Sequence, residues 1–186
     1  MSDTGNKVRL FTALTVPDAL RNKVVALPKV KLDFQRITNP QDLHITLRFL
    51  GEVEENILPD IEDVLEGMRK PTPFGVEVSG LGTFEKKRQC VLYAAVQSVK
   101  KLALLSDDIT QKMEPLGLTF EKRAYMPHVT VARLRSTKNV ENYAKRYGKD
   151  IHASWQAKEF HLMRSASAED GEKRYSILRT FVLPPY

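Results

Sequence analysis

From Val8 to Val16 the residues Val8, Leu10, Thr12, Leu14 and Val16 alternate with Arg9, Phe11, Ala13 and Thr15, the two-residue period of a strand. Pro17-Asp18 then opens a helix that runs to about Leu27, with proline early, where its missing N–H costs little. A second strand is predicted over Leu43–Leu50 and ends at Gly51. Between Glu54 and Met68 the period lengthens, and Ile57, Ile61, Val64, Leu65 and Met68 share one helical face. Two strands follow, Phe74–Leu81 and Gln89–Val96, joined by a segment holding Gly82 and the run Glu85-Lys86-Lys87-Arg88. Lys100–Leu116 carries Leu102, Leu105, Ile109 and Met113 at helical spacing. A strand from Pro127 to about Leu134, a short helix over Val140–Tyr147 and closing strands in Ile151–Met163 and Tyr175–Leu183 complete the pattern.

The two element types alternate irregularly and several strands read as hairpin-connected. This predicts an α+β fold with antiparallel sheets, in contrast to a doubly wound parallel sheet. No GxGxxG or Walker-type glycine loop is present, so nucleotide binding by those routes has no support.

At 186 residues the chain fits one compact domain or two small lobes sharing one core system. No apolar stretch approaches the roughly 20 residues of a bilayer span, and the polar start Met1–Lys7 lacks a secretory signal's apolar segment. Cys90 is the one cysteine, which excludes an intramolecular disulfide and a fold dependent on one. Cytoplasm is the expected address. Twenty-nine basic residues against 23 acidic give a net charge of +6, which favours polyanions such as RNA. The same excess also fits a solvated surface. Its clusters, such as Glu121-Lys122-Arg123, are short and mixed in sign, unlike a nucleic-acid-binding tail.

One tetrapeptide pattern occurs twice: His44-Ile45-Thr46-Leu47 and His128-Val129-Thr130-Val131. With four histidines and 12 threonines in the chain, two such copies are unlike a chance pattern. On a strand each histidine shares a face with its threonine, while Leu43, Ile45, Leu47 and Phe49, and likewise Val129 and Val131, face a core. Two such strands side by side would aim two imidazoles and two hydroxyls into one cleft. Imidazoles suit proton transfer near neutral pH, and hydroxyls can hydrogen-bond a phosphoryl oxygen.

At these residues the chain resembles the 2H phosphoesterase superfamily, and within it the bacterial and archaeal RNA 2′,3′-cyclic phosphodiesterases, also called 2′-5′ RNA ligases. The matching stretches are Arg9–Leu14, Asp42–Val53 and Pro127–Arg133, in the family's order and spacing. The resemblance implies a bilobal α+β fold over residues 1–186, two antiparallel sheets with flanking helices related by a pseudo-two-fold, one motif in each lobe. It implies hydrolysis of an RNA terminal 2′,3′-cyclic phosphate to a 2′-phosphate, with ATP-independent 2′-5′ ligation as the reverse. Carried over by motif, His44 is the general acid and His128 the general base. Thr46 and Thr130 hold the phosphate with Arg133, and Phe11 and Tyr125 lie near the nucleotide. Many members carry Trp where this chain has Ile37. Strict alternation turns Arg133 away from His128, so its role requires a bulge or the strand's end. No metal and no cofactor are required. The implied partner is an RNA with a cyclic phosphate end, tRNA fragments among the candidates, with no membrane and the protein a monomer.

Plainer readings accompany these. His152 and His161 lack the motif and read as surface or structural residues, and Trp155 and Cys90 as packing residues. A zinc site has neither HExxH nor a Cys pair behind it. Arg48 fits a solvated strand residue equally well. Two function classes besides the RNA-end phosphodiesterase stay open: a non-catalytic nucleotide- or RNA-binding module on the same groove, and a 2H enzyme acting on a small cyclic nucleotide or an ADP-ribose cyclic phosphate.

Overall fold

The structure is a computed structural model that describes residues 6–29, 32–86, 89–122, 124–166 and 174–185. The N-terminal Met1–Gly5, Lys87-Arg88 and Arg123 of the charged clusters therefore lie outside the described residues.

Among the described residues nine strands form one continuous sheet in which every pairing is antiparallel. They are β1 (Lys7–Thr15), β2 (Phe34–Ile37), β3 (His44–Glu54), β4 (Phe74–Lys86), β5 (Gln89–Val96), β6 (His128–Leu134), β7 (His152–Ala157), β8 (Glu159–Ser165) and β9 (Tyr175–Val182). The helices are α1 (Asp18–Val25), α2 (Leu58–Gly67), α3 (Val99–Met113) and α4 (Val140–Tyr147). The strand order is β7-β4-β5-β6-β3-β1-β8-β9, with β2 added on β6. The join in the middle is slight: β3 and β6 pair only through Ile45 and Val129. The sheet thus divides into two antiparallel halves, β7-β4-β5-β6 with β2, and β3-β1-β8-β9. Helix α3 packs on β3, with α2 against α3 and β9, while α4 packs on β4 and α1 on β7. This is the expected α+β architecture with helices on both halves.

The core is continuous through both halves and includes Leu10, Leu14, Ile45, Leu47, Leu92, Val129, Leu134, Phe160 and Phe181. The helices bury the faces their periodicity predicts, Ile61 and Leu65 on α2 and Leu102, Leu105, Ile109 and Met113 on α3. No helix among the described residues is long and apolar enough to cross a membrane.

Four expectations from the pattern need correction. Strand β3 does not stop at Gly51 but continues to Glu54, because Gly51 at φ +89° takes the left-handed conformation that an irregular strand needs. Strand β4 runs through Gly82 to Lys86, where a loop was expected. Ile151–Met163 is broken at Lys158 into β7 and β8, which lie in opposite halves of the sheet. Phe49 is not a core residue. Along β3 burial falls on Ile45 and Leu47 and then on Leu50 and Val53, and Phe49 is 45% exposed. The cause lies in the pairing with β1, which skips Leu47 and Leu50, so two irregularities shift the alternation. The orphaned carbonyl of Leu47 is satisfied from outside the sheet, by the buried hydroxyl of Ser106 on α3 at 2.6 Å. Strand β2 was not anticipated, since Phe34–Ile37 is short and only half-buried.

Candidate active site

The Ile45–Val129 pair that joins the two halves is made of the middle residues of the two His-x-Thr motifs. In antiparallel register this puts Thr46 opposite His128 and His44 opposite Thr130 along the two strands. All four residues line one cleft of about 1220 Å³. The imidazoles are near enough that positive charge on His128 disfavours charge on His44.

Each ring is held in the same way. His44 Nδ1 lies 2.6 Å from the carbonyl of Asp42, and His128 Nδ1 lies 2.9 Å from the carbonyl of Met126. A carbonyl only accepts, so both Nδ1 atoms carry a proton and Nε2 is the nitrogen that gains or loses one. His44 Nε2 is 3.0 Å from Thr46 Oγ1. The rings are also caged alike. His44 lies 5.0 Å from both Phe11 and Tyr175, with Tyr175 edge-on. His128 lies 5.3 Å from Phe84 and 5.5 Å from Tyr93, again near edge-on. Tyr93 reaches that place over Gly82, its partner on β4, where any Cβ would fall 2.5 Å from the phenol ring.

Burial pushes the His44 imidazole below its usual 6.5, against the upward pull of the Asp42 carbonyl and carboxylate, with His128 adding to the lowering. The Asp42 carboxylate, 3% exposed, accepts hydrogen bonds from the backbone N–H groups of Arg174 and Tyr175. One residue therefore orients His44 through its carbonyl and ties down the start of β9, which carries Tyr175, through its side chain.

Arg133 does line the cleft. Pairing between β5 and β6 matches Tyr93 with Thr130 and Leu92 with Ala132, leaving Val131 as an extra residue. Val131 and Ala132 are both buried, and the bulge returns Arg133 to the face of His128 and Thr130. Burial, and then the neighbouring Arg36, destabilise the Arg133 charge, a cost that a bound anion would offset. Arg9, Arg36, Arg48 and Arg164 also line the cleft, against the acidic Asp42, Glu52 and Glu121. Alternation alone could not flag this arginine set, because its members come from five different strands. Arg48 is more than a solvated strand residue: it contacts the Thr110 hydroxyl and lies over the Phe120 ring at 5.2 Å.

The two expected aromatics part company. Phe11 lines the cleft, against His44. Tyr125 does not line it; its hydroxyl donates to the Thr46 carbonyl at 2.8 Å, and burial pushes the phenol pKa up. Tyr125 thus braces the strand behind Thr46. The aromatics that pattern reading missed are Tyr175, Phe84 and Tyr93, whose distance in sequence from either motif hides them. His152 is exposed, His161 and Cys90 are buried and Trp155 is half-buried, and none of them lines the cleft. Among the described residues no three His, Cys, Asp or Glu side chains gather as a metal site would require.

Comparison with known proteins gives this cleft a lineage. Residues 16–169 match the 2′-5′ RNA ligase superfamily. The chain belongs to that superfamily. Among curated members of the 2′-5′ RNA ligase superfamily, the RNA 2′,3′-cyclic phosphodiesterase of Archaeoglobus fulgidus is 30% identical over 94% of this chain and 99% of its own length. That of Methanothermobacter thermautotrophicus is 31% identical over 76% of this chain and 79% of its own. Among solved structures, E. coli LigT complexed with 3′-AMP superposes with a TM-score of 0.74 at 23% identity, covering 96% of this chain and 99% of that one. The fold of that structure is therefore shared across essentially the whole chain.

Proposed function

We propose that this member of the 2′-5′ RNA ligase superfamily is an RNA 2′,3′-cyclic phosphodiesterase, a hydrolase that opens the cyclic phosphate at an RNA 3′ end to a 2′-phosphate. One observation carries the reading: two Nδ1-tethered imidazoles and both motif threonines line a single arginine-rich cleft. The relatives named for the same reaction support it, as does a LigT structure that holds a nucleoside monophosphate.

In this scheme neutral His128 Nε2 removes a proton from water as the water oxygen attacks phosphorus. Protonated His44 Nε2 gives its proton to the departing 3′ oxygen. Each proton transfer contributes about 10²–10⁴ in rate. Thr46 and Thr130 donate to the non-bridging phosphoryl oxygens, and Arg133 supplies positive charge where negative charge develops. Burial lowers the His44 proton affinity in the free protein, and the negative phosphate restores it on binding, so His44 becomes a competent acid when substrate is present. With a 5′-hydroxyl in place of water as the nucleophile, the same groups open the cyclic end onto that hydroxyl and leave a 2′-5′ linkage and a free 3′-hydroxyl. The protein acts as one bilobal domain with a motif in each half, as a monomer in the cytoplasm, on RNA ends such as those of cleaved tRNA.

The test is a short RNA with a 2′,3′-cyclic end, incubated with the protein in EDTA, and identification of the phosphomonoester formed. A 2′-phosphate is the expected product. A 3′-phosphate, or dependence on added zinc or manganese, overturns the scheme. Binding without turnover would instead assign a nucleotide-binding module.

A further inference from the structure

The cleft is larger than its chemistry needs. At about 1220 Å³ it exceeds the 300–1,000 Å³ of ordinary small-ligand sites. The excess lies along β1 and β3 beyond the motifs, where Lys7, Arg9, Phe49, Gly51 and Glu52 line it. Phe49 is the feature that no structural need explains. It is a large apolar ring, 45% exposed, in a groove otherwise rich in arginine. It faces the groove because the pairing of β1 with β3 skips Leu50, so that Leu50 takes the core position. The Arg9 guanidinium lies over the ring, 4.8 Å from its centroid. Among the described residues Arg9 forms no ion pair with a carboxylate.

An exposed aromatic face with an unneutralised guanidinium beside it is how proteins hold the bases of single-stranded nucleic acid: the ring stacks and the cation meets the backbone phosphate. Phe49 is five positions beyond His44 on β3, roughly 15 Å at a strand's rise per residue. That separation fits the next base along the chain better than the base carried by the reacting phosphate's own ribose, and the second arm of the test below tells the two apart. The chain of an RNA ending in a cyclic phosphate extends only in the 5′ direction, so the occupant is a base upstream of the end.

We propose that Phe49 and Arg9 form a second nucleobase subsite, which captures a base upstream of the terminal nucleotide and makes the protein prefer oligonucleotides over cyclic mononucleotides. The proposal rests on the RNA-end reading, and its test separates the two. In the first arm, kcat/KM is measured for a 2′,3′-cyclic mononucleotide and for a short RNA with a cyclic end. Phe49→Ala is expected to lower the oligonucleotide value about tenfold and leave the mononucleotide within about twofold, while Phe49→Trp keeps the oligonucleotide value. Equal losses on both substrates, or an unchanged oligonucleotide value, overturn the subsite.

The second arm needs no turnover. A fluorescent 2-aminopurine is placed at successive positions of an RNA ending in an unreactive 3′-phosphate. Quenching at an upstream position that Phe49→Ala abolishes and Phe49→Trp restores is the expected result. Quenching confined to the terminal base, or unaffected by Phe49, overturns the proposal. A protein that hydrolyses neither substrate yet shows the Phe49-dependent quench would refute the RNA-end hydrolase and keep the subsite.

Discussion

Ile45 and Val129 are register partners across the seam of the sheet, and this single pairing turns two sequence motifs into one site. Both side chains are fully buried, so the residues flanking each of them are presented to the cleft. The seam acts as a local two-fold axis, with an imidazole and a hydroxyl on either side. The similarity extends to the Nδ1 tethers and the aromatic cages. The division of labour proposed for the histidines rests on their places in the two motifs.

The acid and base roles are separable by leaving group. His44→Ala and His128→Ala are each expected to lower turnover by about 10²–10⁴. A substrate whose leaving oxygen has a low pKa needs no proton in the transition state, so it recovers much of the His44→Ala loss and none of the His128→Ala loss. Rescue of His128→Ala instead exchanges the assignments. Single-turnover rates with natural and activated substrates decide it.

The pH dependence follows from the direction of the His44 shift. A general acid works only while protonated, so activity falls as pH rises through its pKa. Burial holds that pKa below 6.5 in the free protein, so the alkaline limb of kcat/KM is expected to begin its fall below pH 6.5. Bound phosphate raises the pKa, and the alkaline limb of kcat shifts upward. Both profiles, which report the coupled pair, come from the same set of progress curves. Coincident alkaline limbs would remove the substrate's part in charging His44.

Gly82 should matter to a histidine it never touches. A methyl group there would meet the Tyr93 ring at 2.5 Å, and Tyr93 is one wall of the His128 cage. Gly82→Ala is expected to lower kcat about tenfold with KM nearly unchanged, and to shift the acidic limb of the profile, which reports the base. An unchanged pH profile would reduce Gly82 to a packing position.

How much of this was legible in the chain can be traced through particular residues. The two motifs, the helix Val140–Tyr147 and the core faces of α2 and α3 lie in regular segments where the period of the side chains decides burial. Phe49 and Arg133 defied that period because bulges at Leu50 and Val131 reset it, and a bulge depends on the partner strand's register, which no local pattern contains. Tyr175, Phe84 and Tyr93 were hidden for a different reason. They reach the histidines through strand order, a long-range property. Tyr125 shows that an aromatic near a motif can brace the strand that carries it, a role that its place in the sequence does not reveal.

Binding should depend on salt. Arg9, Arg36, Arg48, Arg133 and Arg164 line one cleft, and each phosphate they neutralise releases counterions. Affinity for an oligonucleotide is expected to fall with log[salt] at a steeper slope than for a mononucleotide. Titrations at several salt concentrations measure both slopes, and equal slopes would mean that the cleft senses only the terminal phosphate.

Acid should destabilise the fold through His161. The ring is 3% exposed, its Nδ1 meets Thr180 Oγ1 at 2.9 Å, and its Nε2 has no hydrogen-bond partner. Burial lowers its pKa below 6.5, with Glu159 partly opposing. A histidine depressed in the folded state contributes stability above its unfolded pKa and loses it as pH falls through the folded value. Tm is therefore expected to drop as pH falls below about 6.5, and less steeply in His161→Gln. Parallel slopes in thermal melts would place the acid sensitivity elsewhere.

The order in which the strands leave the ribosome has its own consequence. The half of the sheet that holds His44 is built from β1, β3, β8 and β9, with the other half's strands synthesised between them. Tyr175, a wall of the His44 cage, is made only after both motifs. Neither half is thus a contiguous stretch that can fold ahead of the other, and β1 and β3 must wait with one flank uncovered until β8 arrives. Such a chain gains its stability late and all at once, so a protein cut anywhere between the two motifs yields no half-active fragment, only two incomplete sheets.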